Sequence, residues 1–159
     1  YNEIVELYDE LRNKNVVLVF YRGSWCPFCN AQLKLLMSAL PYIRNAGATL
    51  IAVSPQAPDQ TLAYIEQNNL DFEILTDENC RVASKYGLTY ELPPEIHDYY
   101  LEHYQLNVAD YTVNQSLTIP VASTFIITKD KQIMFCDNKN VNFMRRTEPL
   151  TLLNALANL

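Results

Sequence analysis

A chain of 159 residues, 49% apolar and 19% charged, has the size and composition to bury a full hydrophobic core and is unlike a disordered chain. Its net charge of -6, with Lys and Arg scattered rather than bunched, argues against nucleic acid as a partner, because phosphate binding needs a basic patch. No apolar run reaches the roughly 18 residues of a membrane span, and no signal-peptide pattern opens the chain. The first residue is Tyr1 rather than Met, which leaves room for a removed signal or an extra strand.

Residues 3–12 place Ile4, Val5, Leu7, Tyr8 and Leu11 at helical spacing and predict a short amphipathic helix. Val16 to Tyr21 is a continuous apolar, β-branched run, as expected of a strand buried on both faces. Leu33, Leu36, Met37 and Leu40 recur at threes and fours, which predicts a helix from about Pro27 to Asn45. Pro27 falls in its first turn, Pro41 should kink it, and Gly47 ends it.

The alternation then repeats: a strand over Thr49–Ser54, a helix over Pro58–Asn68, a strand over Phe72–Leu75 and a helix over Glu78–Tyr86. Residues 88–119 read as an insertion with a helix from Glu95 to His103, and a segment this long beside a core suits a lid or binding loop. Val121–Thr128 and Gln132–Phe135 form a hairpin about Lys129-Asp130-Lys131, and a last helix covers Pro149–Ala157. Strands alternating with helices, closed by a hairpin, predict an α/β protein with a central mixed sheet and helices on both faces. No repeat or linker divides the chain, so one domain over 1–159 is expected.

Four cysteines are too few for a disulfide-dense scaffold. Two of them form Cys26-Pro27-Phe28-Cys29 where the first strand runs into a helix. The first turn of a helix presents unpaired N–H groups and partial positive charge, which favours thiolate over thiol. The thiolate attacks disulfide sulfur or peroxide oxygen, and a second cysteine one turn away can close a disulfide. Arg22, nearby in sequence, is placed to add positive potential.

Bland readings stand beside this one. The pair could be half of a zinc site, but the remaining ligands would come from Cys80, Cys136, His97 and His103, isolated in different elements. It could also be inert packing, or hold an iron–sulfur cluster with a partner chain. Cys80 and Cys136 read as small buried residues, although Cys80 lies at a helix start. The histidines read as surface or lid residues. Arg145-Arg146 reads as a solvated charge cluster, with anchoring of an anionic substrate as the functional alternative.

The run VVLVFYRGSWCPFCNAQLKLL resembles the peroxiredoxin-like branch of the AhpC/TSA (redoxin) family, within the thioredoxin superfamily. GATLIAVSPQ, DENCRVASKYGLTYELPPEI, IPVASTFIITKD and RRTEPLTLLNAL resemble successive blocks of that family, so the likeness covers nearly the whole chain. It implies a thioredoxin-like fold and Cys26 and Cys29 as the catalytic pair, with Trp25, Pro27, Arg22 and Pro120 in support. In peroxiredoxin register Cys29 takes the peroxidatic position, Cys26 stands at the loop threonine, Arg22 at the loop proline and Ala122 at the later arginine. In thioredoxin register Cys26 attacks and Cys29 resolves; a cis-proline would face the pair, with Pro120 the nearest candidate.

The resemblance implies a thiol-dependent oxidoreductase that reduces peroxides, with an antioxidant role and without a metal or other cofactor. Its partners would be an external thiol reductant of thioredoxin or glutathione type and a peroxide or disulfide substrate; a homodimer is compatible with it. The alternatives are a thiol–disulfide oxidoreductase and a redox sensor that uses the insertion as its partner surface. A reducible cysteine pair without other disulfides fits the cytoplasm best.

Overall fold

The computed structural model describes residues 3–138 and 144–159; residues 1, 2 and 139–143, which the single-domain reading includes, lie outside it. In chain order the regular elements are α1 (Leu7–Glu10), β1 (Asn15–Phe20), α2 (Pro27–Asn45), β2 (Ala48–Ser54), α3 (Pro58–Asn68) and β3 (Glu73–Thr76). They continue with α4 (Arg81–Lys85), β4 (Thr89–Glu91), α5 (Pro94–Tyr104), β5 (Thr118–Pro120), β6 (Ser123–Ile127), β7 (Ile133–Asp137) and α6 (Pro149–Ala157). Five strands form one sheet in the order β3-β2-β1-β6-β7. The β1, β2 and β3 strands are parallel, while β6 is antiparallel to both β1 and β7.

The apolar run of β1 explains the layering. Val17, Val19 and Tyr21 meet Leu33, Leu36, Leu40 and Ile43 of α2 and Leu152 and Leu156 of α6 on one face. Val16, Leu18 and Phe20 meet Leu11, Cys80, Ala83 and Leu88 on the other. Burying a Leu or Ile side chain of this kind is worth about 1.5–3 kcal/mol, so β1 is held from both sides. Gly47, at φ +73, follows the last turn of α2 and donates its N–H to the Arg44 carbonyl at 3.0 Å, which stops the helix and starts β2. The α2 helix is assigned continuously through Pro41. Among the described residues, no helix is long and apolar enough to cross a membrane.

Three expectations change. The first helix keeps only Leu7–Glu10: Leu11 packs on the sheet while Ile4 is 84% exposed, so no buried stripe supports the earlier residues. The 78–86 helix begins as a 3-10 turn over Glu78–Cys80 with Asn79 and Cys80 at positive φ. The Asp77 carboxylate then accepts the N–H groups of Val82 and Ala83 at 2.8 and 2.9 Å to open α4. The 88–119 segment is also more regular than expected, because β4 and β5 pair as a small antiparallel sheet.

Candidate active site

The end of β1 carries the chain into a tight loop. Tyr21 still pairs with β2 through its N–H to the Val53 carbonyl, and the Cys26 N–H closes a turn onto the Gly23 carbonyl at 3.1 Å. Gly23 has φ +145, and a Cβ there would lie 2.7 Å from Trp25 Nε1, so the loop needs glycine. Two polar side chains hold the loop. Gln56 Oε1 accepts the Ser24 N–H at 2.6 Å, and Asn30 Nδ2 donates to the Ser24 carbonyl at 2.7 Å. Gln56 is wholly buried.

Cys26 is the N-cap of the 19-residue α2, Pro27 its first residue, and Cys29 lies within its first turn. The two sulfurs are 3.0 Å apart, within hydrogen-bond reach and longer than the roughly 2.05 Å of a disulfide. Both are buried, Cys29 at 0% and Cys26 at 2% exposure. Arg146 approaches from the other end of the chain, with Nη2 at 3.2 Å from Cys29 Sγ and 3.7 Å from Cys26 Sγ. It is fixed there because Thr147, buried beside it, donates to Asp137 Oδ2 at 2.7 Å just before Pro149 opens α6.

These contacts divide the pair electrostatically. The Cys29 thiol is lowered to about 6, first by the hydrogen bond from Cys26 and then, against the opposing effect of burial, by the Arg146 guanidinium and the Arg22 backbone N–H. Cys26 moves the other way: its hydrogen bond to Cys29 and its burial push the thiol up. The arrangement favours a thiolate on Cys29 and a proton on Cys26.

Several expected residues take defined places. Arg22 is 7% exposed; its charge favours ionisation of Cys26 and its backbone N–H favours that of Cys29. Trp25 packs against Tyr100 of α5, ring centroids 6.2 Å apart, and so ties the loop to the insertion. Pro120 is buried in β5 opposite Thr89, and no cis peptide bond occurs among the described residues. Cys80 is fully buried, its thiol pushed up to about 12 by burial and Asp77, and its sulfur lies 3.4 Å from the Thr118 carbonyl oxygen. His97 bonds Asn107, and His103 packs at a tilt against Tyr99, ring centroids 4.3 Å apart. Among the described residues, no three His, Cys, Asp or Glu side chains converge as metal ligands would.

Two readings of the sequence are corrected. Cys136 is exposed rather than buried, because β7 is the outer strand of the sheet. Arg146 is not part of a solvated charge cluster, although Arg145 is exposed. The position at Ala122 thus lacks an arginine, and a cation reaches the sulfurs from a different segment. The missed signal is topological. Because β6 reverses β1 and β7 reverses β6, β7 runs parallel to β1, so the chain leaves both strands towards α2 and α6 at the same end of the sheet.

A mixed sheet covered by helices, with two cysteines where β1 enters α2, defines a thioredoxin-like α/β protein. The chain belongs to the AhpC/TSA family, whose model matches residues 1–136. It is 29% identical over 80 residues to a putative peroxiredoxin bcp of Haemophilus influenzae, covering 50% of this chain and 52% of that one. It is 30% identical over 87 residues to thiol-disulfide oxidoreductase ResA of Halalkalibacterium halodurans, covering 54% and 48%. The chain thus spans about half the length of these curated relatives. The structure of peroxidoxin BcpB from Mycobacterium tuberculosis superposes with a TM-score of 0.68 at 18% identity, over 95% of this chain and 81% of that one, which establishes likeness of fold.

Proposed function

We infer that this chain is a thiol peroxidase in which Cys29 attacks the peroxide and Cys26 resolves the product. The observation that carries this reading is the placement of Cys29 Sγ between the Cys26 sulfur at 3.0 Å and Arg146 Nη2 at 3.2 Å. The Cys29 thiolate attacks one oxygen of the peroxide, the O–O bond breaks, and the alkoxide or hydroxide leaves and takes up a proton from solvent as alcohol or water. Cys29 is then a sulfenic acid. Cys26 sulfur attacks it, water leaves, and a Cys26–Cys29 disulfide forms; an external thiol donor of thioredoxin or glutathione type returns two electrons. Arg146 stabilises the attacking thiolate before the reaction. Likeness to the H. influenzae putative peroxiredoxin supports the assignment.

The test is stopped-flow consumption of hydrogen peroxide by the reduced protein. Cys29→Ser should abolish it, whereas Cys26→Ser should retain the first turnover and stop at a sulfenic acid that dimedone traps. Consumption unchanged in Cys29→Ser would sink the reading.

A thiol–disulfide oxidoreductase is the second reading, favoured by Cys26 at the N-cap of α2 and by the likeness to ResA. It requires turnover of glutathione disulfide or insulin that depends on Cys26 and survives without peroxide. A redox sensor would show neither turnover, only a stable Cys26–Cys29 disulfide.

A further inference from the structure

Nearly all of the chain's net charge lies in one segment. Residues 88–119 contain Glu91, Glu95, Asp98, Glu102 and Asp110 and no Lys or Arg, so they carry -5 of the total -6 when His is counted neutral. The same segment holds α5, an 11-residue helix without a buried residue. Isolated helices of that length are marginal in water. Yet Ile96, Tyr99, Leu101 and Tyr104 of α5 are 39–65% exposed. Tyr99 and Tyr104 contact each other at 5.9 Å, and Tyr100 reaches Trp25, the neighbour of Cys26. An aromatic surface therefore runs from the cysteine loop onto a helix whose Glu95, Asp98 and Glu102 are all exposed.

The chemistry of this surface selects its occupant. Tyrosine gives large amphipathic contact area at low entropic cost, which suits a protein interface. A small molecule needs a concave pocket, whereas α5 presents a convex helix. A second copy of this chain, docked two-fold, would set the same -5 segment against itself, since an isologous contact pairs identical patches. A protein with an apolar centre and a Lys/Arg rim satisfies both the aromatic and the acidic parts.

We propose that the aromatic, acidic face of α5 docks a basic-rimmed dithiol protein that reduces the Cys26–Cys29 pair. This rests on the redox reading of that pair and adds the partner's chemistry. A partner thiolate attacks Cys26 sulfur of the disulfide, the Cys26–Cys29 bond breaks, and Cys29 leaves as thiolate. The partner's second thiolate attacks its own sulfur in the mixed disulfide, and Cys26 leaves in turn. The partner ends as a disulfide, two electrons poorer, and its two thiol protons pass to solvent or to the released thiolates. The lower affinity of Cys29 for a proton makes it the better leaving group.

Binding is tested with Trp25, the single tryptophan of the chain. Its fluorescence is titrated with two synthetic peptides of equal length, one alternating Lys with Leu and Phe around a central Ser, the other with Glu for Lys. The basic peptide should bind saturably, and binding should weaken by about tenfold when salt is raised from roughly 50 to 500 mM. Glu95→Lys/Asp98→Lys/Glu102→Lys should weaken it by a similar factor, as should Tyr99→Ala/Tyr104→Ala, with far-UV circular dichroism unchanged. Equal binding of the two peptides, or wild-type affinity in both variants, overturns the docking surface.

The same peptides with Cys in place of Ser then reduce the peroxide-treated protein. The basic peptide should be about tenfold faster than the acidic one at low salt, and the triple variant should erase that advantage while dithiothreitol reduces both proteins equally. If dithiothreitol releases no thiol from the treated wild-type protein, the redox reading fails and the exchange step with it. The fluorescence titration then judges the surface by itself.

Discussion

Arg146 Nη2 lies 3.2 Å from Cys29 Sγ across 117 residues of sequence. The contact is made at a buried sulfur, where a charge-assisted interaction is screened far less than at the surface. It matters because burial alone would drive the Cys29 thiol upwards, against ionisation.

Arg146→Ala should therefore raise the pH at which Cys29 ionises from about 6 towards the ordinary thiol value without reaching it, because the hydrogen bond from Cys26 remains. A full rise to the ordinary ~8.5 would cut the thiolate present at pH 7 by roughly 30-fold, and the Cys26 contact keeps the loss smaller than that. Iodoacetamide alkylation of Cys29, followed by peptide mass spectrometry, measures that fraction. Arg146→Lys should restore part of it, since charge returns without the planar fork. An unchanged midpoint in Arg146→Ala would remove the cation from the mechanism.

The pH dependence of the pair follows with a definite sign. Cys29 has a depressed value, so its thiolate is present above about pH 6 and lost as the pH falls through it. Absorbance at 240 nm should show one step near that pH in the wild type and none there in Cys29→Ser. In Cys26→Ser the step should persist, because the serine hydroxyl can still donate to the thiolate, whereas in Cys26→Ala it should move upwards, because the hydrogen bond from Cys26 is the largest contact that lowers Cys29. A step that disappears with Cys26 instead would reverse the roles of the two thiols.

What the sequence made legible follows the range of the interactions. β1, α2 and β2 are written in local patterns: a β-branched run, apolar residues at threes and fours, and a glycine stop at Gly47. The cysteine pair at the head of α2 was equally local. The strands Thr89–Glu91 and Thr118–Pro120 are three residues each, too short to show a period, and exist only because they pair across the insertion. Cys136 looked like a core residue because its strand was recognised but its edge position was not. Arg146 needed two reversals of strand direction to reach the sulfurs, which no local pattern encodes.

The loop that carries these groups depends on Gln56. Its Oε1 accepts the Ser24 N–H at 2.6 Å, and its backbone bridges to Thr112 of the insertion. Gln56→Leu keeps most of the volume but leaves that N–H without its acceptor, at a cost of about 1–3 kcal/mol. The chemical denaturation midpoint should fall accordingly. The ionisation of Cys29 should also move up, since the same loop presents the Arg22 N–H to its sulfur. Lost stability with an unmoved thiol midpoint would confine Gln56 to packing.

The remaining cysteines should separate by reactivity. Cys136 is exposed on β7, while Cys80 is buried with its thiol pushed up to about 12. In a Cys26→Ser/Cys29→Ser background, maleimide at pH 7 should label Cys136 in the native protein and reach Cys80 only on unfolding. Equal labelling of both under native conditions would contradict the burial of Cys80 against the Thr118 carbonyl.

Gly23 is the most exacting position of the loop. Its φ of +145 disfavours any L side chain, and an added methyl would lie 2.7 Å from Trp25 Nε1 and 3.1 Å from Gln56 Oε1. Neither neighbour can yield cheaply, because Trp25 packs against Tyr100 and Gln56 holds Ser24. Gly23→Ala should cost about 1–3 kcal/mol from backbone strain alone, read as a lower denaturation midpoint. As the ring swings away from Tyr100, Trp25 emission should shift to longer wavelength. Peroxide consumption should fall as well, because Gly23 and Cys26 share the turn that opens α2. A variant with wild-type stability and emission would mean that the loop relaxes around the methyl, and that the geometry at Gly23 does not set the position of the cysteines.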